Sequence, residues 1–175
     1  MNKKHSRILN ELKFIKKQEG FMNYFNEALA VMKELYGQDV AMPLATVNGD
    51  KANIRVINAY YKENAFYITT YSLSNKIKEI TKNPNVALNH NLFVAHGIGK
   101  NIGNPLEEQN RELREELKRI FYRFYDKHVC EEDANTCILK ITLTDSLVFA
   151  HDCKYFIDFK YKTATREECV IDIVF

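Results

Sequence analysis

Residues 44–88 read LATVNGDKANIRVINAYYKENAFYITTYSLSNKIKEITKNPNVAL and decide the fold of this chain. Segments 44–47 and 52–61 have the composition of strands. The dipeptide Asn48-Gly49 between them favours a tight hairpin turn, because asparagine and glycine accept positive φ. Residues 62–64 form the next turn, and residues 65–71 are a third strand rich in aromatic and β-branched side chains. The stretch therefore predicts three antiparallel strands in succession.

A short helix that Ser74 caps and that ends near Pro84 follows the third strand. Thr69, Thr70 and Ser74 supply hydroxyl groups beside the helix start, and Lys76 supplies an ammonium group. The free N–H groups of a helix start, with the positive end of its dipole, favour an anion. We therefore predict a phosphate site here. The alternative is a capped helix with an exposed lysine.

The segment Arg55-Val56-Ile57-Asn58 on the neighbouring predicted strand extends this hypothesis. An arginine followed by two apolar residues could offer backbone groups to a planar ring with polar edges. Arginine in a strand also serves as a salt-bridge partner, and both interpretations stay open at this point.

The rest of the chain adds further strands and helices to this unit. Strands are predicted at 86–90, 93–102, 137–143, 146–151 and 155–159, with a possible last one at 170–174. Asn104 is predicted to open the longest helix. Residues 5–18 and 21–36 have helical periodicity. The order predicts an α+β antiparallel barrel that spans 37–175 as a single domain and follows an N-terminal helical arm at 1–36.

Composition and charge exclude several classes of function. The formal net charge of +2 is too small to indicate binding to nucleic acid or to an anionic membrane. The four cysteines make no CxxC pair, and no export signal is recognisable, so we expect reduced thiols in the cytoplasm. The cluster His151-Asp152-Cys153 alternates between faces of a strand, so no metal site is predicted.

The order LATV, RVIN, FYITT, SNKIKEI and NPNVAL resembles the pyridoxamine 5′-phosphate oxidase-like FMN-binding split-barrel proteins. It is similar above all to the small bacterial members grouped with nitroimidazole-resistance and general-stress proteins. The resemblance covers residues 40–103 well and residues 137–160 less closely. Residues 1–36 have no counterpart in it.

The resemblance implies a Greek-key-like split β-barrel with flanking helices, and a homodimer that holds one FMN per active site at the subunit interface. Position by position, it places the flavin ring and the ribityl chain along Arg55, Val56, Ile57 and Asn58. It also implies that Thr69 and Thr70 contact the cofactor from the end of their strand. The phosphate-binding residues that it implies are Ser74, Asn75 and Lys76.

Three departures from the family pattern bear on activity. Tyr60 stands where pyridoxamine phosphate oxidases have a lysine for the substrate phosphate, and Val94 replaces an interface glutamine. Asn75 stands where the family commonly has arginine, which leaves more of the phosphate charge to Lys76 and Lys78. Vitamin B6 oxidation is therefore not the expected reaction.

The sequence consequently predicts an FMN-dependent oxidoreductase that acts on a small organic molecule, with NAD(P)H as a plausible electron donor. Flavin chemistry needs no protein nucleophile, so no catalytic residue is assigned. His90 and His96 are candidate proton donors as well as candidate structural residues. The alternative is a non-catalytic flavin- or haem-binding module in stress response or sensing.

Overall fold

The computed structural model describes residues 24–170 of the chain, which form eight strands and four α-helices. A helix at 24–36, here α1, comes first. The strands are β1 (Val40–Asn48), β2 (Lys51–Lys62), β3 (Ala65–Tyr71), β4 (Asn85–His90), β5 (Phe93–Asn101), β6 (Thr136–Ala150), β7 (Cys153–Asp158) and β8 (Thr163–Glu168). The other α-helices are α2 (Asn75–Lys82), α3 (Arg111–Ile120) and α4 (Tyr125–His128).

Six strands close into an antiparallel barrel, and two more extend it. The sheet order is β3-β2-β1-β4-β5-β6-β7-β8, and an additional β3–β6 pairing closes the barrel. Ala65 lies opposite Thr142 in that closing ladder, and Tyr71 lies opposite Thr136. The predicted α+β split barrel is confirmed.

Strand β6 belongs both to the barrel and to its extension. Its first half pairs with β3 and β5, and its second half pairs with β5 and β7. The register with β5 shifts between His96 and Gly97, which marks a β-bulge. A Cβ on Gly97 would lie 2.7 Å from the carbonyl oxygen of Thr142, so this bulge requires glycine. The sequence predicted two strands here, at 137–143 and 146–151, where the structure has one bulged strand.

The main core fills the barrel and reaches the helix that begins the described part of the chain. Phe25, Ala28, Met32 and Tyr36 of α1 are buried in the same cluster as the inward side chains of the strands. Helix α2 adds Ile77 and Ile80 to this cluster and lies across one end of the barrel. The helical pattern predicted for 21–36 is thus confirmed over 24–36, whereas the predicted helix at 5–18 lies outside the described residues.

A second, smaller core lies on the outer side of the barrel wall. Leu117 and Phe121 of the α3 region pack with Tyr125 against outward side chains of β2, β3 and β6. Leu113, Ile120 and Phe124 are partly buried at its margin. The apolar side chains of α3, which ends at Ile120, therefore face the outer side of the barrel wall.

Three local predictions were wrong. The hairpin turn between β1 and β2 consists of Gly49 and Asp50, because Asn48 pairs with Lys51, and only Gly49 of the two has positive φ. Asn104 does not open the helix predicted there, because α3 begins at Arg111 after a 3₁₀ turn, and with 10 residues α3 is shorter than α1. Strand β8 was missed, and the strand predicted at 170–174 lies, apart from Val170, outside the described residues.

None of the helices within residues 24–170 combines the length and the apolar character that a membrane crossing requires.

Candidate cofactor site

The start of α2 lies at one end of the barrel, directly after β3. Ser74 occupies the N-cap position, but its hydroxyl accepts no hydrogen bond from a backbone N–H of the first turn. The predicted side-chain cap is therefore wrong. The first turn of α2 contains no acidic residue, so nothing within that turn offsets the positive end of the helix dipole. These two features leave the helix start suited to an external anion.

Lys76 in the first turn is half-buried. Its Nζ lies 3.4 Å from the Ser74 hydroxyl, and within residues 24–170 it forms no ion pair with a carboxylate. Burial lowers the pKa of the Lys76 ammonium, and the nearby Arg55 guanidinium lowers it further. Because the positive charges of Lys76 and Arg55 disfavour each other, an anion beside them would be stabilised.

The Arg55 guanidinium on β2 already forms an ion pair with the Glu79 carboxylate of α2. Its Nη2 lies 2.8 Å from Oε2 of Glu79, and its Nη1 donates to the Thr46 hydroxyl. That hydroxyl in turn donates to Glu79, and the Asn53 amide donates to Oε1 of Glu79 at 2.7 Å. Arg55 is therefore a salt-bridge partner, as the second of the two sequence interpretations had it. We call Thr46, Asn53, Arg55 and Glu79 the Glu79 network.

The Glu79 network keeps a buried carboxylate ionised. The hydrogen bond from Thr46 is the largest contribution that holds the pKa of Glu79 below its usual range, and the bonds from Asn53 and Arg55 act in the same direction. Burial of the side chain opposes this shift. Because Glu79 offsets the charge of Arg55, Lys76 and the helix start supply the remaining positive charge at this end of the barrel.

The two strand-end threonines point to opposite sides of the barrel wall. Side chains alternate along β3, with Phe66 and Ile68 in the main core and Tyr67 in the second core. Thr70 therefore continues the inner face, opposite Cys137, while Thr69 faces the side covered by α3. Burial raises the pKa of the Cys137 thiol to about 11, so this cysteine is a neutral neighbour of Lys76 at neutral pH.

The side chains of residues 55–58, the segment predicted to bind the ring, alternate between the two faces of β2. Ile57 is buried in the main core, and Arg55 points inward like it. Val56 is 69% exposed on the outer face, and the Asn58 amide donates to Oδ1 of Asp39 at 2.8 Å. Side chains of Arg55 and Asn58 are thus engaged within the chain, which leaves the backbone as the part of this segment that a ring could contact.

The three departures from the family pattern lie in different places. Tyr60 is buried in the second core, and its hydroxyl donates to Oε1 of Glu116 at 2.7 Å. Asn75 is exposed at the first position of α2. Val94 lies on the outer face of β5, where it lines a groove. The structure therefore keeps Tyr60 apart from the Lys76 end of the site.

The two candidate histidines have different surroundings. His90 packs edge-on against the ring of Tyr36, with centroids 5.9 Å apart, which is a structural role. His96 lies on the outer face, where its Nδ1 is 2.7 Å from Oδ1 of Asp145. His96 and Asp145 lie opposite each other in the pairing of β5 with β6. Because they are 49 positions apart in the sequence, no local pattern predicts this contact.

We expect Glu79→Ala to lower the free energy of unfolding by about 3 kcal/mol, since it leaves three donors without their acceptor. Chemical unfolding in urea measures the change. Glu108→Ala is the matched control, because Glu108 is an exposed carboxylate whose ion pair with Arg111 should contribute about 0.5 kcal/mol or less.

The stabilising contribution of Glu79 should depend on pH. Because the folded-state pKa of Glu79 is lowered, its stabilising contribution is present at neutral pH and is lost as pH falls through that pKa. The stability difference between the wild type and Glu79→Gln should therefore shrink on acidification. A difference that stays constant down to acidic pH would contradict an ionised Glu79.

Comparisons with known proteins support the fold. No protein-family model matches the chain, and no curated protein sequence matches it. Among solved structures, general stress protein 26 from Bacillus anthracis superposes with a TM-score of 0.50 at 22% identity, over 66% of this chain and 88% of that one. A putative pyridoxamine 5′-phosphate oxidase from Listeria innocua has a TM-score of 0.50 at 18% identity, over 70% and 95%.

A third structure, a FAD-binding protein from Mesorhizobium loti, has a TM-score of 0.54 at 16% identity and covers 68% of this chain and 91% of that one. At these identities the likeness concerns the fold. The chain therefore has the split-barrel fold of the pyridoxamine 5′-phosphate oxidase-like proteins, as the resemblance in residues 40–103 implied.

Proposed function

We propose that this protein is an FMN-binding oxidoreductase that transfers hydride to or from a small organic molecule. The observation that carries the proposal is the half-buried Lys76 at a helix start that has neither a side-chain cap nor an acidic residue in its first turn. A phosphate monoester supplies the negative charge and the acceptor oxygens that such a site can bind.

The residues at this end of the barrel fit the phosphate of FMN. Lys76 and Ser74 would donate to its oxygens, with Asn75 at the exposed rim of the same helix start. Thr70 lies on the inner face beside them, whereas Thr69 lies on the other side of the wall and would contribute through its backbone. Glu79 would hold the Arg55 guanidinium in place, so that its remaining N–H groups could face the phosphate.

The remaining assignments follow the resemblance. The ring and the ribityl chain would lie along the backbone of residues 55–58, with Val56 and Ile57 packed on either side of the strand. Two of the structural neighbours are described as a FAD-binding protein and as a putative pyridoxamine 5′-phosphate oxidase, names that support a flavin as the cofactor class.

Bound FMN would supply the hydride chemistry, and the chain would supply position and electrostatics. Lys76 would offset the phosphate charge, and the apolar side chains of β2 would keep water from one side of the ring. Pyridoxamine phosphate is not the proposed substrate. Tyr60 occupies the position of the substrate-phosphate lysine, and it is buried against α3 with its hydroxyl bonded to Glu116.

We expect the purified protein to take up FMN, which gives absorption bands in the blue. We expect Lys76→Ala to weaken FMN binding about tenfold or more, because the variant loses a hydrogen bond to a charged group. Fluorescence titration with FMN measures the affinity. Lys82→Ala is the matched control, because Lys82 is an exposed lysine in the last turn of the same helix. Equal affinities in wild type and Lys76→Ala would rule out the phosphate assignment, and a Soret band would indicate haem instead of flavin.

The oxidoreductase part of the proposal requires turnover. We expect the FMN-loaded protein to be reduced by NADH or NADPH under anaerobic conditions, and then to be reoxidised by a quinone or a nitroaromatic compound, with stopped-flow absorbance of the flavin as the measurement. Bleaching by neither nucleotide, in a protein that binds FMN tightly, would favour the alternative of a non-catalytic flavin-binding module in stress response or sensing.

The proposed assembly is a homodimer, with the cofactor at the interface. Ile54 and Val56 support it, because they are 71% and 69% exposed on adjacent outward positions of β2. They lie opposite Ala45 and Pro43 of β1, so the strip they form is apolar across two strands. Exposed aliphatic strips of this kind mark surfaces that are covered in the assembled protein. We also place the protein in the cytoplasm, where the free cysteines would stay reduced.

We expect Val56→Lys to shift the protein from dimer to monomer, because it places a charge in the centre of the apolar strip. Light scattering coupled to size-exclusion chromatography measures the mass. Tyr122→Lys is the control, since Tyr122 is 69% exposed but follows α3, in the region of the second core. A wild-type protein that is monomeric at micromolar concentration would contradict the proposed assembly.

A further inference from the structure

The start of α2 carries little positive charge for a phosphate site. Lys76 supplies one ammonium group, and the helix dipole adds about half a positive charge. Asn75, the first residue of the helix, is exposed and uncharged. A phosphate monoester carries a charge of about −1.5 to −2 at neutral pH, which the ammonium group and the helix dipole only partly offset.

The guanidinium of Arg55 is a second cation near this helix start. Burial, and then the charge of Arg55, lower the pKa of the Lys76 ammonium, so the two cations lie close enough to interact. Nη2 of Arg55 donates to Oε2 of Glu79 at 2.8 Å, however, and the Glu79 side chain is only 7% exposed. Because water screens such a pair weakly, Glu79 offsets most of the charge that Arg55 would otherwise present to an anion.

The ion pair between Arg55 and Glu79 is held from several sides. The Thr46 hydroxyl donates to Oε2 of Glu79, and the Asn53 amide donates to Oε1 at 2.7 Å. Thr46 also accepts from Nη1 of Arg55. Transfer of the guanidinium from Glu79 to a phosphate would leave a buried carboxylate without its counter-ion, which is costly. We therefore expect the pair to persist when a cofactor binds.

The charge of Glu79 can be separated from its shape. The substitution Glu79→Gln keeps nearly the same side-chain volume and one acceptor oxygen, but it removes the negative charge. The acceptor oxygen can still bond to the Arg55 guanidinium, whose positive charge is then no longer offset. A carboxylate at this position is thus not needed to hold Arg55, and its main effect on an anion at the helix start is electrostatic.

We infer that Glu79 is a specificity-determining residue of the cofactor site, which limits the contribution of the phosphate by holding Arg55 in a neutral ion pair. The ligand class is then wider than FMN and includes riboflavin, the flavin without a phosphate. Lys76 is the main phosphate contact, and one charge-assisted hydrogen bond makes FMN bind about tenfold more tightly than riboflavin. Because the flavin site itself is proposed, this specificity rests on the proposed function.

The dissociation constants of FMN and riboflavin, measured by flavin fluorescence on the full chain, test this role of Glu79. We expect Glu79→Gln to tighten FMN about fivefold, because Arg55 then acts at full charge, and to leave riboflavin unaltered. Glu108→Gln is the matched control and should change neither constant, since Glu108 is an exposed carboxylate outside α2. If Glu79 were merely structural, Glu79→Gln would change both flavins alike or would weaken FMN, and either result would overturn the inference.

The substitution Arg55→Gln separates the charge of Glu79 from an orienting effect on Arg55. We expect Arg55→Gln to weaken FMN about tenfold, because the charge of Glu79 is no longer offset, and to leave riboflavin unaltered. Adding Glu79→Gln should restore FMN binding to within about threefold of the wild type. If Glu79 acted only by orienting Arg55, Glu79→Gln would have no effect in this background, which would overturn the inference.

Arg55→Gln leaves a buried carboxylate unpaired and can prevent folding, which the melting temperature shows. The double variant Arg55→Gln/Glu79→Gln replaces the ion pair by two neutral amides, so its comparison with the wild type decides the question in that case. A wild-type protein that binds neither flavin would contradict the proposed function, and this inference with it. FMN bound more than about a hundredfold more tightly than riboflavin would leave the proposed function intact and overturn the inference alone.

Discussion

The ion pair between Glu79 and Arg55 connects the fold of this protein to its candidate site. It joins α2 to the inner face of β1 and β2 at one end of the barrel, through Thr46 and Asn53 as well as Arg55. This buried carboxylate is tolerated because three hydrogen bonds, one of them from the Arg55 guanidinium, hold it in its charged form. The same pair also sets the charge that an anion would meet at the start of α2, because it offsets one of the two cations there.

The position of α2 has a second consequence for the interior of the barrel. Ile77 and Ile80 fill the end of the main core, and a Cβ on Gly99 of β5 would lie 3.0 Å from Cγ2 of Ile80. The helix is therefore fitted against β5 as closely as it is bonded to β1 and β2. Because both sides of the helix are fixed, its first turn presents Ser74 and Lys76 in one orientation to whatever binds there.

Residues 44–88 allowed the main features of the fold to be predicted, because short hairpins and a short helix are determined by local composition. The features that were missed depend on pairing between distant segments. Asn104 and Glu107 make contacts typical of a helix start: the Asn104 N–H donates to Oε1 of Glu107 at 2.7 Å, and Oδ1 of Asn104 accepts from the Leu106 N–H at 2.8 Å. The Asn104 amide, however, donates to the carbonyls of Glu131, Asp133 and Thr136, which holds this segment as a loop.

The candidate site shows the same division between local and distant information. Ser74 and Lys76 could be found from sequence because they lie within three residues of each other. The partner of Arg55 could not, since Glu79 lies 24 positions away and meets it only when α2 folds back on the barrel. The pairing of His96 with Asp145 depends on the register of β5 and β6, across an insertion that contains α3 and α4. Strand β8 was missed because its sequence, TATREE, is polar, as edge strands commonly are.

The closure of the barrel by β3 and β6 has a consequence for how the chain folds. The hairpins β1–β2, β2–β3 and β4–β5 join neighbouring segments, whereas Ala65 must find Thr142 before the barrel is complete. Pairings between such distant positions carry a high loop-closure entropy and slow the folding of antiparallel proteins. Until they form, β3 has an unpaired edge rich in aromatic and β-branched residues. We therefore expect the nascent chain to be most prone to aggregation before β6 has been synthesised, and the helices α3 and α4, which cover the finished ladder, to become ordered last.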